Sequence, residues 1–416
     1  MEFLLSLVFI ILLGIIEFFQ HKSNRRAIPL VIHVNGTRGK STTTRLLTYG
    51  LLECGYKVWG KTTGSEPRLI KAAGEKEIKR RGQPRIKEQQ QIISQAAAAG
   101  VEVLVLECMA LSPEIQYTTG NKIVQADYSL LTNIYRDHEE IMGDTLKDIK
   151  ETLFLSIPAG GRVVLPANVY ESFFAASEQE KGVTGVSFYP VKKEKVKEDF
   201  LESFSYPNFP ENIALARRCS RLLAEREDLE INSEEFSRGM LKAPPDPGNT
   251  GVNEIKLGQK NLVLINGFAA NDIPSTKALW RRYAGWLEQK RPERFKPQRA
   301  TNALENIENP KTVVALLNLR ADRQLRSSKM IACYEDFLAP KITTLYLVGP
   351  KNKPVLSVLR NNSSQTITYL GDKKEAAEIL TAIKSQEETD CIVIFGFGNF
   401  KGEGQRLREY FAEKGV

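Results

Sequence analysis

The chain has 416 residues, enough for two or three domains, and its composition is that of a soluble α/β protein except at one end. Its 58 Lys and Arg against 50 Asp and Glu leave a formal charge of +8, which favours an anionic partner (phosphates, a polyanion or an acidic membrane surface) or reflects a solvated basic face. Five scattered cysteines without a C-x-x-C pair argue against structural zinc and a disulfide framework and for a reducing compartment.

The first predicted element is the apolar run "FLLSLVFIILLGIIEFF", Phe3 to Phe19, broken only by Glu17. It is slightly shorter than the roughly 20 residues of a typical bilayer-crossing helix. A cleaved signal peptide would carry positive charge before the run and small residues after it. Here Glu2 precedes the run and "HKSNRR" follows it, so the expectation is an anchor over residues 1–20 with the rest of the chain on the cytoplasmic side.

Next, "IPLVIHV" reads as a buried strand and "KSTTTRLLTYGLLECG" as a helix that stops at Gly55. Between them lies "NGTRGKS", a phosphate-binding loop in which Val34 stands where the outermost glycine usually is. Gly36 and Gly39 let the backbone bend until its N–H groups reach phosphate oxygens, and the helix N-terminus adds partial positive charge. Lys40 would meet the outer phosphates and Ser41 would ligate Mg²⁺. The rival reading is an ordinary glycine-bearing strand-to-helix turn.

Further along come strand "YKVWG", the polar stretch "KAAGEKEIKRRGQPRIKEQQQ" read as an exposed loop, helix "QQIISQAAAAG", and strands "VEVLVLE" and "DYSLLTNI". A helix over "DTLKDIKETLFLSIPAGG", strand "RVVLP" and the amphipathic helix "PENIALARRCSRLLAE" complete a first α/β domain, expected over residues 28–245. Alternation of strand and helix predicts a mostly parallel sheet. The breaker cluster "KAPPDPGNTG", Lys242 to Gly251, marks a boundary. Beyond it "NLVLING", "TVVALLNL", "ITTLYLVG" and "DCIVIFG" are strands of a second, smaller α/β domain over residues 246–416. Inside that domain "LEQKRPERFKPQRATNALENIENP" reads as a mobile surface segment.

Three strands of the first domain end in chemistry: one at the phosphate loop, one at Glu107, and one followed by "YRDHEEIMG" with Asp137 and His138. Ligands of open parallel sheets bind beyond the carboxyl ends of the strands, so all three features are expected to face one crevice. An acidic residue at a strand end is what Mg²⁺ requires beside such a loop. Ser41, Glu107 and His138 are therefore the candidate metal set, and Lys40, Glu107 and His138 the candidate catalytic groups. Separately, Glu107 could be a helix cap and His138 a structural histidine.

At these residues the chain resembles the Mur ligases and folylpolyglutamate synthases. "NGTRGKSTTTRLL" is similar to their shortened loop G-T-x-G-K-[ST]-[ST], which lacks the outermost glycine. "LECMA" resembles their strand-end Glu, and "TNIYRDHEEIMG" their T-N-[IV]-x-x-D-H segment. "PENIALA" resembles their Asn-bearing helix on the adenine side, and "LLNLRADRQLRS" a strand followed by a D-R motif. "NGFAAND" is a looser match to a D-Y-A-H-N-P turn, and "DCIVIFGFGNF" resembles a late glycine turn. The resemblance spans about residues 30 to 400. It implies a P-loop Mur-ligase-like ATPase domain plus a Rossmann-like C-terminal domain, with ATP held by Gly36, Thr37, Arg38, Gly39, Lys40, Ser41, Thr42, Asn212 and Asp322. It also implies a carbamoylated lysine; Lys150 stands near the required offset before Gly160 and Gly161, as would an ordinary helix-surface lysine.

Mur ligases commonly carry an N-terminal domain for a nucleotide-linked precursor, whereas here only the apolar segment precedes the loop. With that anchor, "GFAANDIPST" and "APPDPG", the chain resembles the membrane-linked ligases that build poly-γ-glutamate capsules. The resemblance implies an ADP-forming amide ligase that uses ATP and Mg²⁺ to join glutamate to a poly-γ-glutamate chain. The expected partners are other membrane subunits of a synthase complex, with no nucleic acid. Asn271, Asp272, Arg320 and Arg323 follow strands of the second domain and are expected to line one edge of its sheet and face the first domain's crevice. There the two arginines would clamp a carboxylate or phosphate. Another Mur-type or folylpolyglutamate-type ligase, or a membrane-tethered P-loop ATPase, are the rival readings.

Overall fold

The computed structural model describes residues 2–64, 66–80, 85–175, 185–192, 196–204, 206, 208–246, 251–270, 272–287, 311–342, 344–351 and 366–414. The chain divides into two compact units: Met1–Phe204 with Asn208–Asp246, and Ser205–Pro207 with Pro247–Val416.

The first unit is built on an eight-stranded sheet. Its strands are β1 (Leu30–Asn35), β2 (Val58–Lys61), β3 (Arg68–Lys71), β4 (Gly74–Glu77), β5 (Val103–Glu107), β6 (Tyr128–Leu131), β7 (Arg162–Pro166) and β8 (Ser187–Val191). The order is β4-β3-β2-β5-β1-β6-β7-β8. β2, β5, β1, β6, β7 and β8 run parallel, while β3 and β4 add an antiparallel edge. All six residues of β1 and all five of β5 are buried, as apolar strands covered on both faces must be. Helices α1 (Glu2–Arg26), α2 (Lys40–Glu53), α3 (Lys87–Ala98) and α4 (Pro113–Thr118) belong to this unit, and a π-helical turn, Thr119–Val124, continues α4. On the α3 side Val31, Leu104 and Leu106 pack with Ile92, Ile93 and Ala96. Truncating one such leucine to alanine costs about 2–5 kcal/mol.

The second unit carries a six-stranded sheet of β9 (Gly251–Leu257), β10 (Lys260–Asn266), β11 (Lys311–Asn318), β12 (Thr344–Val348), β13 (Thr366–Gly371) and β14 (Cys391–Gly398). Its order is β13-β12-β11-β14-β10-β9, parallel except for β9. Alternate residues of its central strands fill two cores, Val263, Ile265, Leu317 and Phe395 on one face and Leu262, Leu264, Leu316 and Ile394 on the other.

Two features depart from the sequence expectations. The polar stretch after β2 is not a loop throughout, because β3 and β4 form a hairpin there. Its outer strand is mostly exposed and charged, so it carries no apolar alternation. Helix α1 does not end with the apolar run but continues through "HKSNRR" to Arg26. The segment 288–310 lies outside the described residues.

Candidate active site

β1 is flanked by β5 and β6; the chain leaves it past β5 to β2, and the later crossover from β5 passes it in the other direction to β6, which places a crevice at its carboxyl end. Asn35 closes the strand. Its Oδ1 accepts the Gly36 N–H at 2.8 Å, and its Nδ2 donates to Gln116 Oε1 at 2.9 Å and Ser156 Oγ at 2.8 Å. The loop then turns at Gly36 (φ 128°) and Gly39 (φ 78°). A Cβ on Gly36 would lie 2.2 Å from Thr132 Oγ1, and one on Gly39 2.5 Å from Asn212 Oδ1, so both positions require glycine. Asn212, 4% exposed near the start of helix Pro210–Arg226, thus packs flush on the loop.

Gly39 offers α2 no side-chain cap. The first-turn N–H groups, those of Lys40, Ser41 and the half-buried Thr42, therefore suit an external anion. Lys40 Nζ curls over the loop and donates to Gly36 O at 2.7 Å and Thr37 O at 3.3 Å. Ser41 Oγ donates to the two carboxylate oxygens of Glu107 at 2.9 and 3.1 Å. Glu107, 2% exposed at the end of β5, also accepts the Thr63 N–H at 2.7 Å. Burial pushes its carboxyl above the ordinary range, against the pull of Lys40. A hydroxyl and a strand-end carboxylate in contact beside a phosphate loop are the donor set that a divalent cation takes with phosphate oxygens. Among the described residues no three His, Cys, Asp or Glu side chains gather into a metal cluster.

The segment after β6 straps the loop from the other side. Thr37 Oγ1 donates to Asn133 Oδ1 at 2.7 Å and accepts the Tyr135 N–H at 3.0 Å, while Arg38 N donates to Asn133 Oδ1 at 2.8 Å. Arg38 O accepts from Thr132 Oγ1 at 2.6 Å and from Asn133 Nδ2 at 3.0 Å. The Arg38 guanidinium stands 3.3 Å from Asp137. That pair carries His138, left-handed at φ 52°, to the loop's flank, with its ring 3.7 Å from Asp137 and 3.9 Å from Glu140. Lys40, Ser41, Glu107 and Asn212 are thus gathered at the loop, and His138 lies beside it.

Sequence reasoning saw only part of what holds this arrangement. Thr132 and Asn133 stand in the "TNIYRDHEEIMG" resemblance, but their hold on the loop was not read from it. Thr63 reaches Glu107 from after β2, and behind it lies a charged network. Lys61, wholly buried, pairs with Glu88 at 2.7 Å, and Glu88 takes a fork from Arg80 at 2.7 and 2.8 Å. Burial holds the Lys61 ammonium below its ordinary range, and for Glu88 the pull of Arg80 and Lys61 outweighs burial and holds it low. Lys150 Nζ stands 3.9 Å from Glu151 and 5.9 Å from the Phe174 ring centroid, neither of them in the loop.

In the second unit, β10 and β11 both run parallel to β14, so the residues following them share one sheet edge. Arg320 forks onto Asp322 at 2.9 and 2.6 Å, and with Lys373, Lys401 and Arg406 they line a cavity of about 320 Å³. Asp272 accepts the Ser275 N–H and hydroxyl, each at 2.8 Å, and so caps helix Ile273–Leu287. Asn271 and the Arg323 side chain lie outside the described residues.

Residues 34–214 match the Mur ligase middle domain, and residues 252–414 match the poly-gamma-glutamate synthase CapB C-terminal domain. Among solved structures, Escherichia coli FolC in complex with ADP superposes with a TM-score of 0.60 at 15% identity, over 95% of this chain and 93% of that one. The bifunctional folylpolyglutamate synthase/dihydrofolate synthase of Yersinia pestis complexed with AMPPNP and Mn gives 0.58 at 15% identity, with the same shares covered. The fold is that of the Mur ligases and folylpolyglutamate synthases, with a P-loop at the head of the first sheet. At the sequence level the chain is 31% identical over 412 residues to the PGA synthase CapB of Bacillus subtilis (strain 168), covering 97% of this chain and 95% of that protein. It is 30% identical over 413 residues to the capsule biosynthesis protein CapB of Bacillus anthracis, covering 98% and 82%. The chain belongs to the CapB family of poly-γ-glutamate synthases.

Proposed function

We propose that this chain is an ATP-dependent, ADP-forming amide ligase that adds glutamate to a poly-γ-glutamate chain through an acyl phosphate. The observation that carries the reading is the Ser41–Glu107 contact beside the Gly36–Lys40 loop, in a chain of this family. The N–H groups at the start of α2 and the Lys40 ammonium hold the β- and γ-phosphates. Lys40 reaches them by releasing the Gly36 and Thr37 carbonyls that it now caps. Ser41 and Glu107, with His138 from the neighbouring strand end, would hold Mg²⁺, which when bound neutralises charge on the transferring phosphoryl group. The carboxylate of the polymer end or of glutamate attacks the γ-phosphorus and expels ADP. The amine of the second substrate then attacks the acyl carbon and expels phosphate. Arg320, with Arg323, is the candidate clamp for a substrate carboxylate; to serve, Arg320 must give up its fork to Asp322.

α1 is long and apolar enough to cross a bilayer. With Lys22, Arg25 and Arg26 after the run, it would anchor the chain with its catalytic units on the cytoplasmic side, beside membrane subunits of a synthase. Incubating the protein in membranes with ATP, Mg²⁺ and labelled glutamate tests the reading. Label in an amide-linked, acid-hydrolysable polymer is expected, and phosphate release with no amide product would overturn it in favour of a tethered ATPase.

A further inference from the structure

The anchor helix is docked along the catalytic unit. Glu17, His21 and Arg25 recur every fourth residue and so form one stripe of α1. Glu17 meets Lys87, at the first residue of α3, at 3.3 Å. The His21 ring nitrogen Nε2 lies 2.9 Å from Ile123 O. Arg25, 7% exposed, donates to Val124 O at 2.9 Å, Gln125 O at 2.7 Å, Ile28 O at 3.2 Å and Asp127 at 2.7 Å. Four acceptors around one buried guanidinium make a joint that lacks the freedom of a tether.

The partners also give the direction of the shaft. Arg25 is held beside Asp127 and Ile28, just before β6 and β1 begin, at the amino edge of the sheet. α3 runs back along the sheet and ends just before β5, so its first residue, Lys87, lies toward the carboxyl edge. From Arg25 to Glu17 the helix climbs about 12 Å, and residues 3 to 16 carry it about 21 Å further. β1 itself spans only about 20 Å. The apolar part of α1 therefore leaves the unit on the side of the phosphate loop, with none of its span buried. α4 also starts beyond the carboxyl end of β5, and it leaves Ile115 and Tyr117 exposed by 42% and 46%. An aliphatic and an aromatic side chain, with the exposed Lys87 toward the same edge of the sheet, suit a layer of anionic lipid headgroups.

We infer that α1 is a rigid shaft that presents the phosphate-loop edge of the first sheet to the lipid headgroups and turns the amino edge toward the cytoplasm. The inference rests on the reading of α1 as an anchor. Ligation would then take place within reach of the bilayer surface.

The test uses the full chain in nanodiscs with anionic lipid and a headgroup-attached quencher. In a Cys54→Ser background, a dye is placed at Glu114→Cys, beyond the carboxyl edge, or at Lys57→Cys, at the amino edge; both native residues are exposed. The other four cysteines are buried. Quenching several-fold stronger at position 114 than at 57 is expected. In the double variant His21→Ala, Arg25→Ala the contrast should collapse while the protein stays in the particles. Equal quenching, or stronger quenching at position 57, would overturn the orientation, and an unchanged contrast in the double variant would overturn the shaft. A chain that does not partition into the particles removes the anchor and this inference together. None of these readouts depends on glutamate ligation, so its absence is scored separately.

Discussion

His33 offers a quantitative handle on the strand that carries the loop. It lies in β1, two residues before Asn35, and is 1% exposed. Among the described residues neither ring nitrogen has a hydrogen-bond partner. It sits in one row of the sheet with Ser129 on β6 and, beyond Leu106, Lys61 on β2. Burial and then the Lys61 ammonium push its pKa from 6.5 down to about 4. In the unfolded chain the imidazole titrates near its ordinary value. From there down to the folded value the unfolded chain binds a proton that the folded protein refuses. The stability is thus complete above pH 6.5 and is lost as pH falls toward 4. The full gap corresponds to about 3 kcal/mol, of which about 2 kcal/mol is lost by pH 5. His33→Leu removes the titration and the unpartnered nitrogens while keeping a similar volume. Denaturant-dependent hydrogen exchange of β1 and β5 peptides at pH 7.5 and pH 5 reads the first unit alone. The native protein should lose about 2 kcal/mol more than the variant over that interval. Equal losses would refute a neutral, buried His33.

Lys40→Ala should abolish ATP turnover while the protein stays folded, because among the described residues its ammonium hydrogen-bonds two loop carbonyls; turnover retained in the folded variant would remove Lys40 from the phosphate site. Glu107→Gln should raise the Mg²⁺ concentration for half-maximal turnover by at least about tenfold, since the amide keeps the Thr63 bond but not the charge; an unchanged metal requirement would place the cation elsewhere. Gly39→Ala should cost about 1–2 kcal/mol from the left-handed backbone and push Asn212 away, weakening nucleotide binding in calorimetry; wild-type affinity would show the loop to be slack. Arg323→Lys keeps the charge and loses the planar fork, so ligation should fall while ATP binding persists, and full ligation would leave Arg323 a bystander.

The phosphate loop was legible because its determinants are contiguous: two glycines, a lysine and a serine between an apolar strand and a helix. Glu107 was singled out from a local signal, a carboxylate at a strand end, whereas Asn212 came only from the resemblance of "PENIALA". Thr63, by contrast, meets Glu107 across 44 residues of sequence through a backbone N–H, which carries no residue-type signature. Thr132 and Asn133 were visible only as the first two residues of the "TNIYRDHEEIMG" resemblance; their hydrogen bonds to the loop, mostly to its backbone, leave no residue-type signature in the loop itself. The true end of α1 was hidden for a similar reason. Hydropathy stops at Phe19, but the helix is carried on to Arg26 by tertiary bonds from His21 and Arg25 to a turn about 100 residues away. The role of Asp272 divides in the same manner. Its position after β10 suggested a substrate contact, and its carboxylate is engaged in capping the next helix.

The measurement closest to the central claim follows the oxygen atom. Ligation is run with ATP, Mg²⁺ and substrate whose carboxylate oxygens are ¹⁸O, and the released phosphate is analysed by mass spectrometry. An acyl phosphate made at the loop transfers one carboxylate oxygen to phosphate for each amide bond formed, with ADP as the other product. Label recovered in AMP, or amide bonds formed with unlabelled phosphate, would contradict the account.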